Sequence, residues 1–414
     1  MIRLFDMVMG LCTAADLVSP AVANHHKRVA YISLSIAEEL KQSAEELHDI
    51  VLAASLHDIG ALSLRERMDL LAFESNGVGR HAELGYLFLR RFQPFAQVAS
   101  IIRYHHQYWN NGAGSHVDGQ PVPLASHVLH LADRIDILID NTRGVLGQAA
   151  GITAHIRERS GAMFMPELVA TFESVAPKEF FWLDIVSPRL DNVLQRRVGE
   201  VSMDLSPEGL AVLAKLLSHI IDFKSPFTVT HSAGVSATAE ALASLAGFSP
   251  AGCLQMRIAG FLHDLGKLAI PAEILEKPAD LTSDEMDQIR THTYYTRRIL
   301  EDIPDLNTIT HWASSHHERL DGQGYPFHST AEELQLGARV VAVADVFTAL
   351  TEDRPYRQGL SRPAVEEIMR KMVSDGKLDW TVFDLLELYY DDVNGRRLAA
   401  QAEAAEEYRQ LAPA

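Results

Sequence analysis

Cysteine is nearly missing from this chain: there are two in 414 residues, Cys12 and Cys253. That excludes a disulfide framework and points to a reducing compartment, the cytoplasm. Long apolar runs are missing as well. The opening stretch from Met1 to Pro20 is broken by Asp6 and Asp16 and has no basic leader, so it reads as a helix of a first domain and not as a signal peptide or membrane span. Basic charge is the minority sign, with 37 Lys and Arg against 55 Asp and Glu, a net charge of −18. Tracking along nucleic acid needs a basic stripe, so no nucleic-acid partner is expected. An anionic substrate has to be held by metal ions and a few local cations. Alternating apolar and polar residues, the mark of a half-buried strand, are nearly absent too, and an all-α fold is expected.

What the chain does have, it has twice. Seven residues of metal-ligand type, His25, His57, Asp58, His81, His105, His106 and Asp133, recur in order as His231, His263, Asp264, His292, His316, His317 and Asp345. The step from the first to the second histidine is 57−25 = 32 and 263−231 = 32 residues; the step from His81 to His105 is 24, as is that from His292 to His316. The surroundings repeat as well, Leu56-His57-Asp58-Ile59-Gly60 against Leu262-His263-Asp264-Leu265-Gly266. The chain is therefore an internal duplication. With 47% hydrophobic residues it is long enough for two domains, each with its own core, and the boundary is placed at 1–203 and 204–414.

Each set holds five imidazoles and two carboxylates, more than one four-coordinate ion uses. Two ions per set are expected. Nitrogen and oxygen donors without thiolate favour iron or manganese, with nickel, cobalt or zinc as alternatives.

The local signals are helical. Ser43-Ala44-Glu45-Glu46 reads as a capping box opening a helix that delivers His57-Asp58, with Gly60 as its stop. Ser249-Pro250 opens the matching helix to His263-Asp264, with Gly266 closing it, and Thr282-Ser283-Asp284-Glu285 opens the one that carries His292. A helix from Ala338 to Asp353 carries Asp345. Ser206-Pro207-Glu208 starts the second domain, and the Ala/Glu/Gln-rich stretch from Ala399 to Glu407 reads as a solvated helix end.

The second half has motifs that the first lacks. They are His263-Asp264-Leu265-Gly266-Lys267, then His316-His317-Glu318-Arg319-Leu320-Asp321-Gly322-Gln323-Gly324-Tyr325-Pro326, then Asp345-Val346-Phe347-Thr348-Ala349-Leu350 and Arg354-Pro355-Tyr356-Arg357. From about Ser225 to about Ser361 the chain closely resembles the HD-GYP phosphodiesterases, a subgroup of the HD metal-dependent phosphohydrolases that opens cyclic dinucleotides. The resemblance implies two tandem helical HD-type domains, the second catalytic. It implies His231, His263 and Asp345 on one ion, His292, His316 and His317 on the other, and Asp264 as the bridge and catalytic carboxylate. Lys267 would neutralise a phosphate oxygen, Arg354 and Arg357 would clamp the substrate, and Tyr325 would position it.

Three departures stand out. Phe227 lies four residues before His231, where some family members with three metals carry a carboxylate, and Thr348 stands where the family often has Asp. Both favour two ions over three. The family's His-Pro-x-x-Gly reads His292-Thr293-Tyr294-Tyr295-Thr296, which places bulk near the second ion and is expected to narrow the pocket.

In the first half Ala61 replaces the lysine, and Tyr108-Trp109-Asn110-Asn111-Gly112-Ala113 has no Gly-Tyr-Pro. That half is expected to be a degenerate domain: an inactive metal site, a regulatory nucleotide site, or a structural and dimerising remnant that makes a homodimer or meets signalling partners. The expected activity is hydrolysis of cyclic di-GMP to the linear dinucleotide or to GMP, with 3'3'-cyclic GMP-AMP as the alternative substrate. A dinuclear-iron oxygenase and a non-catalytic nucleotide receptor are the rival classes. Lys267, Arg354, Arg357 and the Gly-Tyr-Pro loop argue for phosphodiester chemistry over both.

Overall fold

The computed structural model describes residues 2–16, 24–61, 63–70, 73, 79–198, 203–223, 229–277, 279–303, 305–353 and 358–410. Phe227, Arg354 and Arg357 lie outside the described residues. The fold is all-α: strands among the described residues are two residues long each, at Ile2–Arg3, His116–Val117, Gln120–Pro121 and Asp204–Leu205. Two compact units divide the chain, Arg3–Asp204 and the chain from Leu205 onward. No helix among the described residues is long and apolar enough to cross a membrane.

Each unit places its ligands on five helices. In the N-terminal unit, His25–Glu39 begins on His25, Ala44–Leu56 ends one residue before His57, Gly79–Leu89 carries His81, Ala96–Arg103 runs to within two residues of His105, and Leu124–Ile137 carries Asp133. In the C-terminal unit the same roles fall to His231–Leu245, Pro250–Leu262, Ser283–Leu300, Asn307–Ser314 and Leu336–Thr351. Both capping boxes form: Ser43 accepts from the Glu46 amide, and Thr282 from the Glu285 amide. Ser249 accepts from the Gly252 amide, with Pro250 at the first helical position. Each such cap contributes about 1 kcal/mol and fixes where the helix, and hence its ligand, begins.

The cores are made of the apolar stripes of these helices. Ile32, Val51, Val98 and Leu129 are fully buried in the first unit, as are Val235, Leu242, Leu262 and Phe347 in the second. Each such side chain contributes about 1.5–3 kcal/mol on leaving water.

Gly60 and Gly266 act differently from the helix stops that the sequence suggested. Neither takes a positive φ. A Cβ on Gly266 would lie 1.9 Å from the carbonyl oxygen of His292, and one on Gly60 would lie 2.1 Å from that of His81. These glycines let the end of one ligand helix touch the backbone of the next. The Ala/Glu/Gln-rich stretch also differs from its expected solvated state. It belongs to a 20-residue helix, Tyr390–Arg409, that packs along His231–Leu245 and buries Arg397, Gln401 and Ala404. Alanine and glutamine have no strong hydrophobic signature, so its buried face is invisible to an apolar-period reading.

Candidate metal centres

The main chain sets the orientation of the ligand imidazoles. In the C-terminal unit the Nδ1–H groups of His263, His292 and His316 donate to the carbonyls of Gly260, Ile289 and Ala313, at 2.8, 2.6 and 2.7 Å. In the N-terminal unit His57 and His105 donate likewise to Ala54 and Ile102, at 2.8 and 2.6 Å. With Nδ1 committed as donor, the neutral ring presents an Nε2 lone pair. The Nε2 atoms of His292 and His316 then face each other at 3.2 Å with no proton between them. Two lone pairs so placed repel unless a cation lies between them.

The donor sets fit metal ions on this and further grounds. In the C-terminal unit His231, His263 and Asp264 bring ligand atoms within 4.8 Å of one another, and so do His292, His316 and His317. In the N-terminal unit His25, His57 and Asp58 form one such group, and Asp58, His81, His105 and His106 another. The buried Nε2 of His57 has no hydrogen-bond partner. All the donors are nitrogen or oxygen, a set that suits several borderline and hard divalent ions.

The carboxylates sit between the groups. Asp264 Oδ2 is 3.2 Å from His263 Nε2, while its Oδ1 is 3.4 Å from His292 and 3.9 Å from His316. Asp58 repeats this, with Oδ2 3.4 Å from His57 and Oδ1 3.4 Å from His81 and 3.9 Å from His105. Asp345 Oδ1 lies 3.2 Å from His231 Nε2 and its Oδ2 3.9 Å from His317 Nδ1; Asp133 Oδ1 lies 3.4 Å from His25 Nε2. Burial pushes the Asp264 carboxyl up, but His263 and Lys267 outweigh it and hold the group well below the usual carboxylate range. His292 is driven the other way, down to about 3, chiefly by burial. Carboxylates ionised and imidazoles neutral are the states a cation needs.

Lys267 lies on a short 3-10 turn, Leu265–Ala269, with Nζ 2.5 Å from Asp264 Oδ2 and its side chain 21% exposed. Tyr325 covers the other group. Its ring lies over His317 with centroids 4.9 Å apart, and its amide donates to the His317 carbonyl at 3.2 Å. Gly324 makes that loop possible, since a Cβ there would lie 2.4 Å from the Glu318 Cα. Glu318, buried, accepts from the amides of Phe327 and Ser329 at 2.6 and 2.9 Å and so holds the loop closed on itself.

Two of the residues after His292 are held away from the ligands. Thr296 is buried, its Oγ1 accepting from the Gly266 amide at 2.9 Å and donating to the His263 carbonyl at 3.0 Å, while Tyr294 is exposed beneath Arg298. The hydroxyl clamps the His-Asp turn against the next helix. Thr348 is fully buried on the helix of Asp345, its methyl 2.8 Å from where a Cβ on Gly234 would lie.

Several buried carboxylates beside the candidate ligands escaped the sequence reading. Glu352 receives the Nδ1–H of His231 at 3.2 Å, and Asp136 receives that of His25 at 2.8 Å, with Arg28 on its other side. Glu352 is two turns past Asp345 and Asp136 one turn past Asp133, a spacing that could have flagged them. Asp222 accepts from the amide and hydroxyl of Ser232 at 3.2 and 2.9 Å, and burial pushes its carboxyl up to about 7. It stands 231−222 = 9 residues before His231, the interval that separates Asp16 from His25, 25−16 = 9.

In the N-terminal unit a different cation is present. Arg134 is 2% exposed; it donates to Asp133 Oδ2 through Nη2 at 2.6 Å and through Nε at 3.2 Å, and to the carbonyls of Phe73 and Leu70 at 3.1 and 3.2 Å. The segment that replaces Gly-Tyr-Pro is bonded away from the ligands: the amides of Trp109, Asn110 and Asn111 donate to the carbonyls of Met163, Ala162 and Gly161.

Comparison with known proteins agrees with this duplicated arrangement. Two HD domain models match, over residues 22–138 and 215–382. A 3'3'-cGAMP-specific phosphodiesterase of Vibrio cholerae is 32% identical over 385 residues, 91% of this chain and 89% of that protein. A cyclic di-GMP phosphodiesterase of Pseudomonas aeruginosa is 36% identical over 189 residues, 45% of this chain and 44% of the relative. The crystal structure of a cyclic GMP-AMP specific phosphodiesterase of V. cholerae covers 98% of both chains, with a TM-score of 0.63 at 23% identity, which establishes the common fold.

Proposed function

The chain belongs to the HD-domain family of cyclic dinucleotide phosphodiesterases, metal-dependent hydrolases, and from there we propose that its C-terminal unit opens 3'3'-cyclic GMP-AMP to the linear dinucleotide. The choice of substrate rests on coverage. The relative that matches through both units carries that name, whereas the cyclic di-GMP enzyme of P. aeruginosa matches over less than half of this chain. Cyclic di-GMP is the second reading, favoured by the higher identity of that shorter match.

The observation that carries the mechanism is Lys267 on Asp264 inside a full ligand set, 2.5 Å away. His231, His263 and Asp345 would hold one ion and His292, His316 and His317 the other, with Asp264 reaching both. Iron or manganese suits these donors best. When bound, two such ions supply an activated water and neutralise charge at phosphorus. The water oxygen would bond to phosphorus and give up a proton, the ester bond to the ribose oxygen would break, and the leaving oxygen would take up the proton that the water gave up. Lys267, on a flexible and partly exposed stem, can leave Asp264 for a non-bridging phosphate oxygen as negative charge grows there. Tyr325 keeps His317 in place and offers its outer edge to the substrate. Arg354 and Arg357 belong to the same proposal as phosphate clamps, two bidentate donors three residues apart. We place the activity in the cytoplasm, where thiols such as Cys12 and Cys253 stay reduced.

The N-terminal unit, on this reading, holds metal without hydrolysing. Its carboxylates and imidazoles repeat, but Ala61 has no cation to give and Arg134 is tied by Asp133 and two carbonyls.

The test is anaerobically purified protein of measured metal content, incubated with 3'3'-cyclic GMP-AMP, cyclic di-GMP and cyclic mononucleotides. Linear GMP-AMP as the fastest product, without oxygen uptake, is expected. Faster cyclic di-GMP turnover selects the second reading, and oxygen uptake with no linear product overturns both.

A further inference from the structure

The first histidine of the catalytic unit is held from behind by a chain of buried polar groups that ends on the last helix of the protein. His231 gives its Nδ1–H to the Glu352 carboxylate, 3.2 Å from either oxygen. Glu352 in turn accepts from Gln401 Nε2 at 3.3 Å. The Gln401 carbonyl oxygen accepts from Arg397, whose guanidinium also donates to Asn394 Oδ1 at 3.0 and 2.9 Å. All four members are shielded from water, with His231, Glu352, Arg397 and Gln401 at 4%, 6%, 3% and 8% exposure.

We propose that Gln401 and Glu352 are positioning residues of the metal centre, and that the helix Tyr390–Arg409 is part of that centre although no ligand lies on it. A buried carboxylate behind a ligating imidazole fixes the tautomer and orientation of the ring and makes its free nitrogen a better donor. Glu352 is aimed by the amide it accepts from. Gln401 in turn cannot rotate its amide, because Arg397, a donor only, requires the oxygen end. The order of the chain therefore reads from Arg397 inward to the ion, with each group's direction set by the one outside it.

Two further observations agree. A Cβ on Gly234 would lie 2.8 Å from Thr348 Cγ2 and 2.9 Å from Gln401 Nε2, so the bare backbone of the His231 helix leaves space that the amide shares with the Thr348 methyl. The HD domain match ends at residue 382, before Gln401, so the segment carrying this group lies beyond the matched domain. The N-terminal unit solves the same problem from within its own ligand helices: Asp136, behind His25, is held by Arg28, three residues on from His25 itself. The catalytic unit instead relies on a late helix.

The proposal depends on the metal-site reading of the C-terminal unit but not on its substrate. The test uses full-length protein with Gln401→Met, which keeps length and removes the donor, Glu352→Gln, and the two combined. Metal content is measured after desalting at limiting manganese, together with the melting temperature of the chelated protein. Gln401→Met is expected to weaken manganese retention about 10-fold, the lower end for an outer-shell partner, when read well below the metal-free melting temperature, which itself falls as Arg397 and Glu352 lose a buried partner. Saturating manganese should restore turnover with the dinucleotide KM unaltered. The double variant should be no worse than Glu352→Gln alone, because Gln401 acts through Glu352. Unchanged retention in Gln401→Met, or full additivity of the two substitutions, overturns the proposal. If Gln401→Met does not fold, Gln401→Ala removes the same amide without adding bulk, and unchanged retention there overturns it equally. A wild-type protein that holds manganese but opens no dinucleotide would defeat the functional reading and leave this one standing.

Discussion

In the N-terminal unit the cation beside the candidate metal ligands is the buried Arg134, and in the C-terminal unit it is the partly exposed Lys267. The geometry around them is nearly the same: the central carboxylate stands 3.4, 3.4 and 3.9 Å from three imidazoles in the first unit and 3.2, 3.4 and 3.9 Å in the second. The cations differ in kind and in freedom. Arg134 pairs with the outer carboxylate, Asp133, and its planar fork is filled by that oxygen and two carbonyls. Lys267 pairs with the central carboxylate, Asp264, from a flexible stem. On the function proposed above, holding metal and stabilising a phosphoryl transition state are separable, and the second depends on a cation that can move.

The sharpest way to break this comparison is to remove ligands from each unit in turn. His263→Ala with Asp264→Ala is expected to abolish cyclic dinucleotide hydrolysis and to lower bound metal, whereas His57→Ala with Asp58→Ala leaves hydrolysis measurable while lowering metal by its own share. Product assays with elemental analysis decide it. A folded first-unit variant that is dead but still loaded in its second unit would mean that the two units act together.

Lys267→Ala should keep the metal content and lose rate by about 100-fold, as for the loss of one preorganised donor at developing charge. Steady-state kinetics on metal-assayed protein would return Lys267 to a structural role if turnover were unchanged.

Arg134→Met tests the fixed cation. Removing one partner of a buried pair strands the other, so a loss of about 3 kcal/mol from the N-terminal unit is expected in denaturant unfolding, with little change in turnover. A loss of turnover as large as that of Lys267→Ala would erase the distinction between the two cations.

The smallest expected effect concerns pH. In the metal-free protein burial lowers the His25 and His231 pKa values, but carboxylates dominate and raise them to about 9 and about 10: Asp136 acts on His25, and Glu352 and Asp345 on His231. Raised folded-state values mean that these imidazolium contacts stabilise the metal-free chain fully below about pH 6.5, and that this contribution is lost as pH climbs through 9 and 10. Metal needs the neutral rings, so its uptake releases protons and tightens with rising pH. The gap in melting temperature between metal-loaded and chelated protein should widen from pH 6 to pH 8; a constant gap would place these protons elsewhere.

Much of this was readable in advance because the ligands and caps are local. His57-Asp58 and His263-Asp264 announce themselves in five residues, and Ser43, Ser249 and Thr282 each cap the helix expected of them. Residues that act across long separations stayed hidden. Gln401 is 401−231 = 170 residues from the histidine it helps to aim, in a stretch whose alanines and glutamates look solvated. Thr296 looked like bulk in the pocket, since only the packed structure shows its hydroxyl bridging Gly266 and His263. Gly60 and Gly266 looked like punctuation because the neighbour that forbids a side chain there comes from another helix.

The donation of ligand Nδ1 protons to carbonyls three residues earlier in the chain makes the centres tolerant of one kind of change and brittle to another. Since the aim of each of these rings is fixed by its own backbone, substitutions on the outer faces of the helices leave the bearings of the ligands untouched, and a unit can drift far in sequence while its cluster persists. A single inserted or deleted residue within one of these helices has the opposite outcome: it swings every following side chain by about 100°, the angle per residue of an α-helix, and carries the ligand out of the site altogether.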